Sequence, residues 1–324
     1  MNLLLQKYQH KFTRLRQGVT KYGPAPHKPV LLLAVMDGFD RGWITENRID
    51  LSPELVGRFK SIWNQLVITD HCPLIVQPFF YMRSEKFWHH VAAPGFEEWV
   101  KISKNCQSIG VLKRAVQYAV LDHDLFVLLS DPISRGVLRL SILDKYFPDR
   151  SEYSSLPDLF ENLKRNVVEE EPEEYRAEIK RLQAMLDKES FEEEVFLRSG
   201  AFKQQVSKLY DDTCCISGLK VETTVNATLI DACHIVPFCV SHDDTISNGI
   251  ALCPTLHRAF DRGLIAIDPG SYTVMVSNSF TEETKSAYSI LQFKGLTIRR
   301  PGDERFYPGR ENLALHLERF AGNF

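Results

Sequence analysis

The stretch LIDACHIVPFCVSHDDTISNGIALCPTLHRAFDRG, residues 229–263, constrains the fold more than any other part of the chain. A short apolar run reads as a strand ending at Pro237, and a polar loop follows it. A second apolar run then leads into a helix that stops at Gly263, a residue suited to the turn after a helix. Strand, loop, strand and helix make a compact scaffold able to gather His234, Asn248, His257 and Asp261. His257 and Asp261 are four residues apart and share one helix face, where an imidazole and a carboxylate can hold one divalent cation. A nitrogen and oxygen donor set suits Mg²⁺, Mn²⁺ or Zn²⁺.

These residue types meet the needs of phosphodiester hydrolysis. A neutral His can take the proton of an attacking water, because its ordinary pKa lies near working pH. An Asn carbonyl can hold the ring in the useful tautomer by accepting from its other N–H. A metal beside them can stabilise charge on the phosphate and on the departing 3′ oxygen.

The motif AxHIVPF…NGIALCPTLHRAFDRG resembles the HNH endonucleases, whose ββα-metal fold presents a first His, an Asn and a last His at similar intervals. The resemblance covers about residues 200–280. It implies metal-dependent DNA cleavage, with Mg²⁺ or Mn²⁺, in which His234 is the base, Asn248 orients it, and His257 with Asp261 binds the metal. Arg258 and Arg262 become candidate phosphate contacts. Two features depart from the pattern. Many relatives frame the site with two CxxC pairs, whereas Cys215 and Cys253 each stand without a second cysteine, so no structural zinc is expected. Some relatives place an Asp before the first His as a metal ligand, and here that residue is Cys233. Strand alternation sends Cys233 and Asp231 to the face opposite His234, which reads Cys233 as packing.

Charge divides the rest of the chain. Residues 1–150 carry 20 Lys and Arg against 14 Asp and Glu, and residues 151–198 belong to an acidic helical stretch that Pro172 interrupts. A basic domain suits a polyanionic partner such as double-stranded DNA. The acidic stretch reads as a solvated connector; the alternative is a homodimer contact through Ile179, Leu182 and Leu186. Residues 199–324 complete a three-part organisation, and the fold class expected is α+β with helix dominant. PVLLLAVM, the longest apolar run, is too short for a membrane span and reads as a buried helix. Seven scattered cysteines and the lack of a secretory leader read as a cytoplasmic protein with reduced thiols.

The first 150 residues, through APHKPVLLLAVMDGF, QPFFYMRSEKFWHH and ILDKYFPD, resemble the sulfur-binding domain attached to HNH domains in phosphorothioate-dependent restriction enzymes. The resemblance implies a reader of DNA whose backbone carries sulfur in place of a nonbridging oxygen. Sulfur is large and weakly hydrated, so an apolar wall beside cations suits it. His27 and Lys28 are the expected donors; Pro78, Phe79, Tyr81 and Trp88 form the expected wall; Arg83 is the expected second cation. A reader of a base modification or of plain sequence, and a DNA-binding protein with an inactive nuclease site, are the competing readings.

Overall fold

A computed structural model describes residues 3–148, 158–223, 228–282 and 288–324. The chain forms two compact units: Met1–Asn162 with Leu186–Leu197, and Leu163–Met185 with Arg198–Phe324. The acidic stretch expected to stand alone is therefore divided between both units. Most of the turn segment FPDRSEYSSLPD lies outside the described residues.

The first unit is built around the helix His27–Asp40, in which every residue from Val30 to Met36 is buried. A helix apolar on all sides has to be surrounded, and the helices Pro53–Leu66, Val76–Tyr81 and Pro132–Tyr146 pack against it. Its buried Asp37 accepts from Arg58 Nε at 2.5 Å, which keeps both charges paired in the core. Two surrounding helices begin with a side-chain cap followed by proline: Ser52 ahead of Pro53, and Asp131 ahead of Pro132. An antiparallel pair, Trp88–Ala92 with Val116–Leu121, completes the unit. Two short elements depart from what their residues suggest locally. The aromatic run Val76–Tyr81 reads as strand but is a helical turn, and Val116–Leu121, which reads as the continuation of the helix Ile109–Ala115, is the strand that pairs with Trp88–Ala92. In both, the tertiary partner overrides weak local preference.

The second unit holds the motif. Asp231–His234 pairs antiparallel with Gly249–Leu252, and His234 sits opposite Gly249. The helix Pro254–Asp261 follows, then the hairpin Ile265–Ile267 with Val274–Val276, and the helix Arg310–Arg319. His316 of that last helix stacks on Phe260 at 3.7 Å and donates from Nε2 to the Phe260 carbonyl at 3.0 Å. Burial holds its pKa down at about 4, so the ring stays neutral in this packing. The helix that leads into the motif is a long one, Lys188–Leu209, whose Phe202 and Val206 press on Gly249. Helices dominate and, among the described residues, each sheet has two strands, so the fold is α+β. No helix of the described residues is long and apolar enough to cross a membrane.

Candidate functional site

The strand pair and the helix that follows place the motif residues in two adjoining clusters, linked by the neighbours Cys233 and His234. In the first cluster the half-buried ring of His234 stacks on Phe202, with centroids 4.1 Å apart and planes 11° apart. Its Nε2 lies 2.7 Å from Oδ1 of Asp244, a fully buried carboxylate. Oδ2 of the same carboxylate accepts from the Tyr175 hydroxyl at 3.0 Å.

Asn248 does not act on the ring as its place in the motif suggests. Its Oδ1 accepts from the Val236 N–H at 2.8 Å, and Nδ2 donates to the carbonyls of Val236 and Asp243, each at 2.9 Å. A wholly buried amide has to satisfy its own polar atoms, and here the nearest partners are backbone groups of the loop between the two strands. Asn248 therefore fixes the shape of that loop, while Asp244 meets the ring. Asp244 escapes sequence reading because no fixed spacing relates it to His234; the path of the loop brings them together.

In the second cluster Cys233, His257 and Asp261 offer ligand atoms that all lie within 4.8 Å of one another. His257 Nδ1 lies 3.1 Å from Asp231 Oδ2, and Nε2 lies 3.5 Å from Asp261 Oδ2. Donation from Nδ1 to Asp231 leaves Nε2 as the nitrogen able to bind a cation, the usual arrangement of a carboxylate behind a metal-binding His. Alternation along the strand, which sends Cys233 and Asp231 away from His234, carries both toward this cluster. Cys233 is thus a donor in the set as well as a packed residue. Burial, followed by the charge of Asp261, pushes its thiol well above the ordinary range, so cation binding there has to displace a proton. The donor set fits a divalent cation, and its sulfur favours a softer ion than Mg²⁺. Arg258 and Arg262 are exposed on and just after the same helix. Cys253, at the head of the helix, and Cys214 are free cysteines that share a thiol hydrogen bond, which lowers the pKa of the Cys214 thiol; it is Cys214, and not Cys215, that faces Cys253.

The first unit contains a cavity of about 400 Å³ whose lining includes Arg16, His27, Lys28, Gln77, Pro78 and Tyr81. Four residues expected at such a pocket are there, but two do other work. Lys28 is buried against Glu85, and its Nζ also donates to Ser84 at 2.8 Å, so its charge is already balanced. Burial drives His27 down to about 4, and its neutral ring bonds the Cys72 carbonyl at 2.8 Å beside Trp63. Phe79 and Trp88 are core residues packed edge to face at 5.2 Å, and neither lines the cavity. Arg83 donates to the carbonyls of Val100 and Ser103 and lies over Phe80, which ties down the helix Glu97–Ile102. The exposed Arg16, overlooked in the sequence because it sits in a basic run, supplies a cation at the rim.

Residues 214–268 match the HNH endonuclease family. No curated protein matches the chain. Among solved structures the chain is similar to a modification-dependent TagI restriction endonuclease, at 20% identity over 36% of each chain with a TM-score of 0.27. It thus spans about a third of that protein's length. It is also similar to the type IV phosphorothioation-dependent restriction endonuclease ScoMcrA, at 11% identity over 78% of this chain and 93% of that one, with a TM-score of 0.30. The family match and the two clusters agree on one conclusion: residues 214–268 of this chain carry an HNH endonuclease domain.

Proposed function

We propose that the protein is a modification-dependent restriction endonuclease that reads phosphorothioate-bearing DNA with its first unit and cuts with its second. The observation that carries this reading is the cavity in the first unit, where the apolar faces of Ala25, Pro78 and Tyr81 lie beside the cation of Arg16. An apolar wall tolerates a weakly hydrated sulfur, and a cation at its edge holds the phosphate. A second reading, a modified base turned out of the duplex into the same cavity, is favoured by volume, since about 400 Å³ exceeds what one sulfur atom needs.

In the cutting site His234 takes the proton of the attacking water. His257 and Asp261, with Cys233, hold the divalent cation, and Asp231 holds His257 in the tautomer that frees Nε2. Once bound, that cation supplies positive charge to the phosphate and to the departing oxygen. Arg258 and Arg262 steer the backbone of the DNA toward the helix. One site per chain serves one strand, so a double-strand cut calls for two copies; Ile179, already buried in the chain, is not free to join them.

The test has two arms. Wild-type protein with Mn²⁺ should nick plasmid DNA, and His234→Ala should not; equal cutting by the variant overturns the base assignment. The full-length His234→Ala chain should then bind a duplex with one phosphorothioate per strand far more tightly than the unmodified duplex at the same stated salt. Equal affinity for the two duplexes overturns the sulfur reading and leaves the nuclease in place.

A further inference from the structure

We propose that Asp244 and Tyr175 are the positioning pair that sets the tautomer of His234, a task the motif alone would give to Asn248. The inference rests on His234 being the base.

An ionised carboxylate can only accept, so the 2.7 Å contact with Asp244 Oδ1 requires the ring to carry its proton on Nε2. The lone pair is then on Nδ1, and that is the atom able to receive a proton. Stacking on Phe202 fixes the ring plane at the same time. When water attacks, its proton moves to Nδ1 as its oxygen bonds to phosphorus and the bond from phosphorus to the 3′ oxygen breaks. The 3′ oxygen takes a proton from solvent, and the imidazolium later loses one. While the ring is positive, the carboxylate of Asp244 faces it through the retained Nε2 proton.

Asp244 itself is held by Tyr175. Burial, and next the charge of Asp244, push the Tyr175 phenol far above its ordinary value, so the hydroxyl remains a donor. It donates to Oδ2 at 3.0 Å, which leaves Oδ1 for the ring. Arg198 lies over the Tyr175 ring at 5.4 Å, adding positive potential behind the phenol. Tyr175 comes from the helix Pro172–Met185, outside the matched residues 214–268. The domain motif therefore lacks part of the machinery that orients its base, and the acidic helix supplies it.

The arrangement makes a specific double-variant prediction. In Asp244→Asn the Tyr175 hydroxyl still donates, so it selects the amide oxygen and turns the NH₂ toward Nε2. The ring must then carry its proton on Nδ1 and can no longer take one from water. The expected loss in kcat is on the order of 10⁴-fold with KM for DNA little changed, as for a base locked in the wrong tautomer. Adding Tyr175→Phe removes the selection, lets the amide turn over, and should recover about tenfold, within the range for touching residues. In the wild-type chain the long-range ¹H–¹⁵N spectrum of His234 should show the Nε2–H tautomer, and in folded Asp244→Asn the Nδ1–H tautomer. Cleavage by Asp244→Asn within about twofold of wild type, or a double variant no better than the single, overturns the proposal. So does an Nδ1–H ring in the wild type, a result that needs no variant to fold. If His234→Ala cuts as well as wild type, the base reading falls and this inference with it; if only Asp244→Asn is indifferent, the base reading stands alone.

Discussion

Cys233 shows how one side chain can set the donor chemistry of a candidate cation site. It occupies the strand position next to His234, and its thiol sits with His257 and Asp261 in a set of three donors. A thiolate in place of a carboxylate should tilt ion preference from Mg²⁺ toward Mn²⁺ or Zn²⁺. Cys233→Asp is therefore expected to raise the ratio of Mg²⁺- to Mn²⁺-supported nicking by about tenfold or more, with the fold unchanged by thermal melting. An unchanged ratio means that Cys233 packs without binding the ion. Asp231 acts at one remove, through His257 Nδ1 at 3.1 Å. Asp231→Asn should weaken metal affinity about 10- to 100-fold in a calorimetric titration, and an affinity equal to wild type would remove Asp231 from the site.

At the scale of elements, the Asn-Gly step of the motif has a packing reason. A Cβ on Gly249 would lie 2.5 Å from Val206 Cγ2 and 2.9 Å from Phe202 Cε2. The helix Lys188–Leu209 can approach the strand pair this closely only because that position has no side chain. Phe202 is also the ring under His234, so crowding here reaches that imidazole. Gly249→Ala should cost about 1–3 kcal/mol of stability, from overpacking, and should slow nicking beyond what the lost folded fraction explains. Wild-type stability and rate in this variant would show that the helix yields freely. Gly263 is a second such point: its φ of +63° ends the helix Pro254–Asp261, and Phe320 covers the place of a Cβ.

At the scale of the molecule, the buried charge of the first unit ties stability to pH. Glu193 is fully buried, its Oε1 accepts from the Ile75 and Val76 N–H groups, and burial pushes its pKa from 4.5 up to about 7. Its folded pKa exceeds its unfolded one, so between those values the folded chain binds more protons than the unfolded chain. Its contribution to stability is thus present below pH 4.5 and is lost as pH rises toward 7. The expected loss is about 3 kcal/mol, since each tenfold change in proton affinity is worth about 1.4 kcal/mol. Glu193→Gln keeps the acceptor and removes the proton, so its denaturant midpoint should vary less between pH 5 and pH 8 than that of the wild type. Identical pH dependence in the two proteins would mean that solvent or a cation relieves the buried charge.

The amino-acid sequence by itself determined the strand–loop–strand–helix scaffold and the pairing of His257 with Asp261, because both follow from local periodicity and a four-residue helical spacing. The buried helix at His27–Asp40 was equally legible, since a run apolar on all sides admits no exposed face. Only the tertiary structure decided which groups meet the His234 ring. Asp244 and Tyr175 are 69 residues apart, and their meeting at His234 depends on how a loop and a distant helix pack. It also decided that Lys28 and Arg83 are held by partners, that Phe79 and Trp88 belong to the core, and that Arg16 stands at the cavity. A residue's type shows which bonds it can make, but burial and the partners within about 3 Å decide which ones it does make.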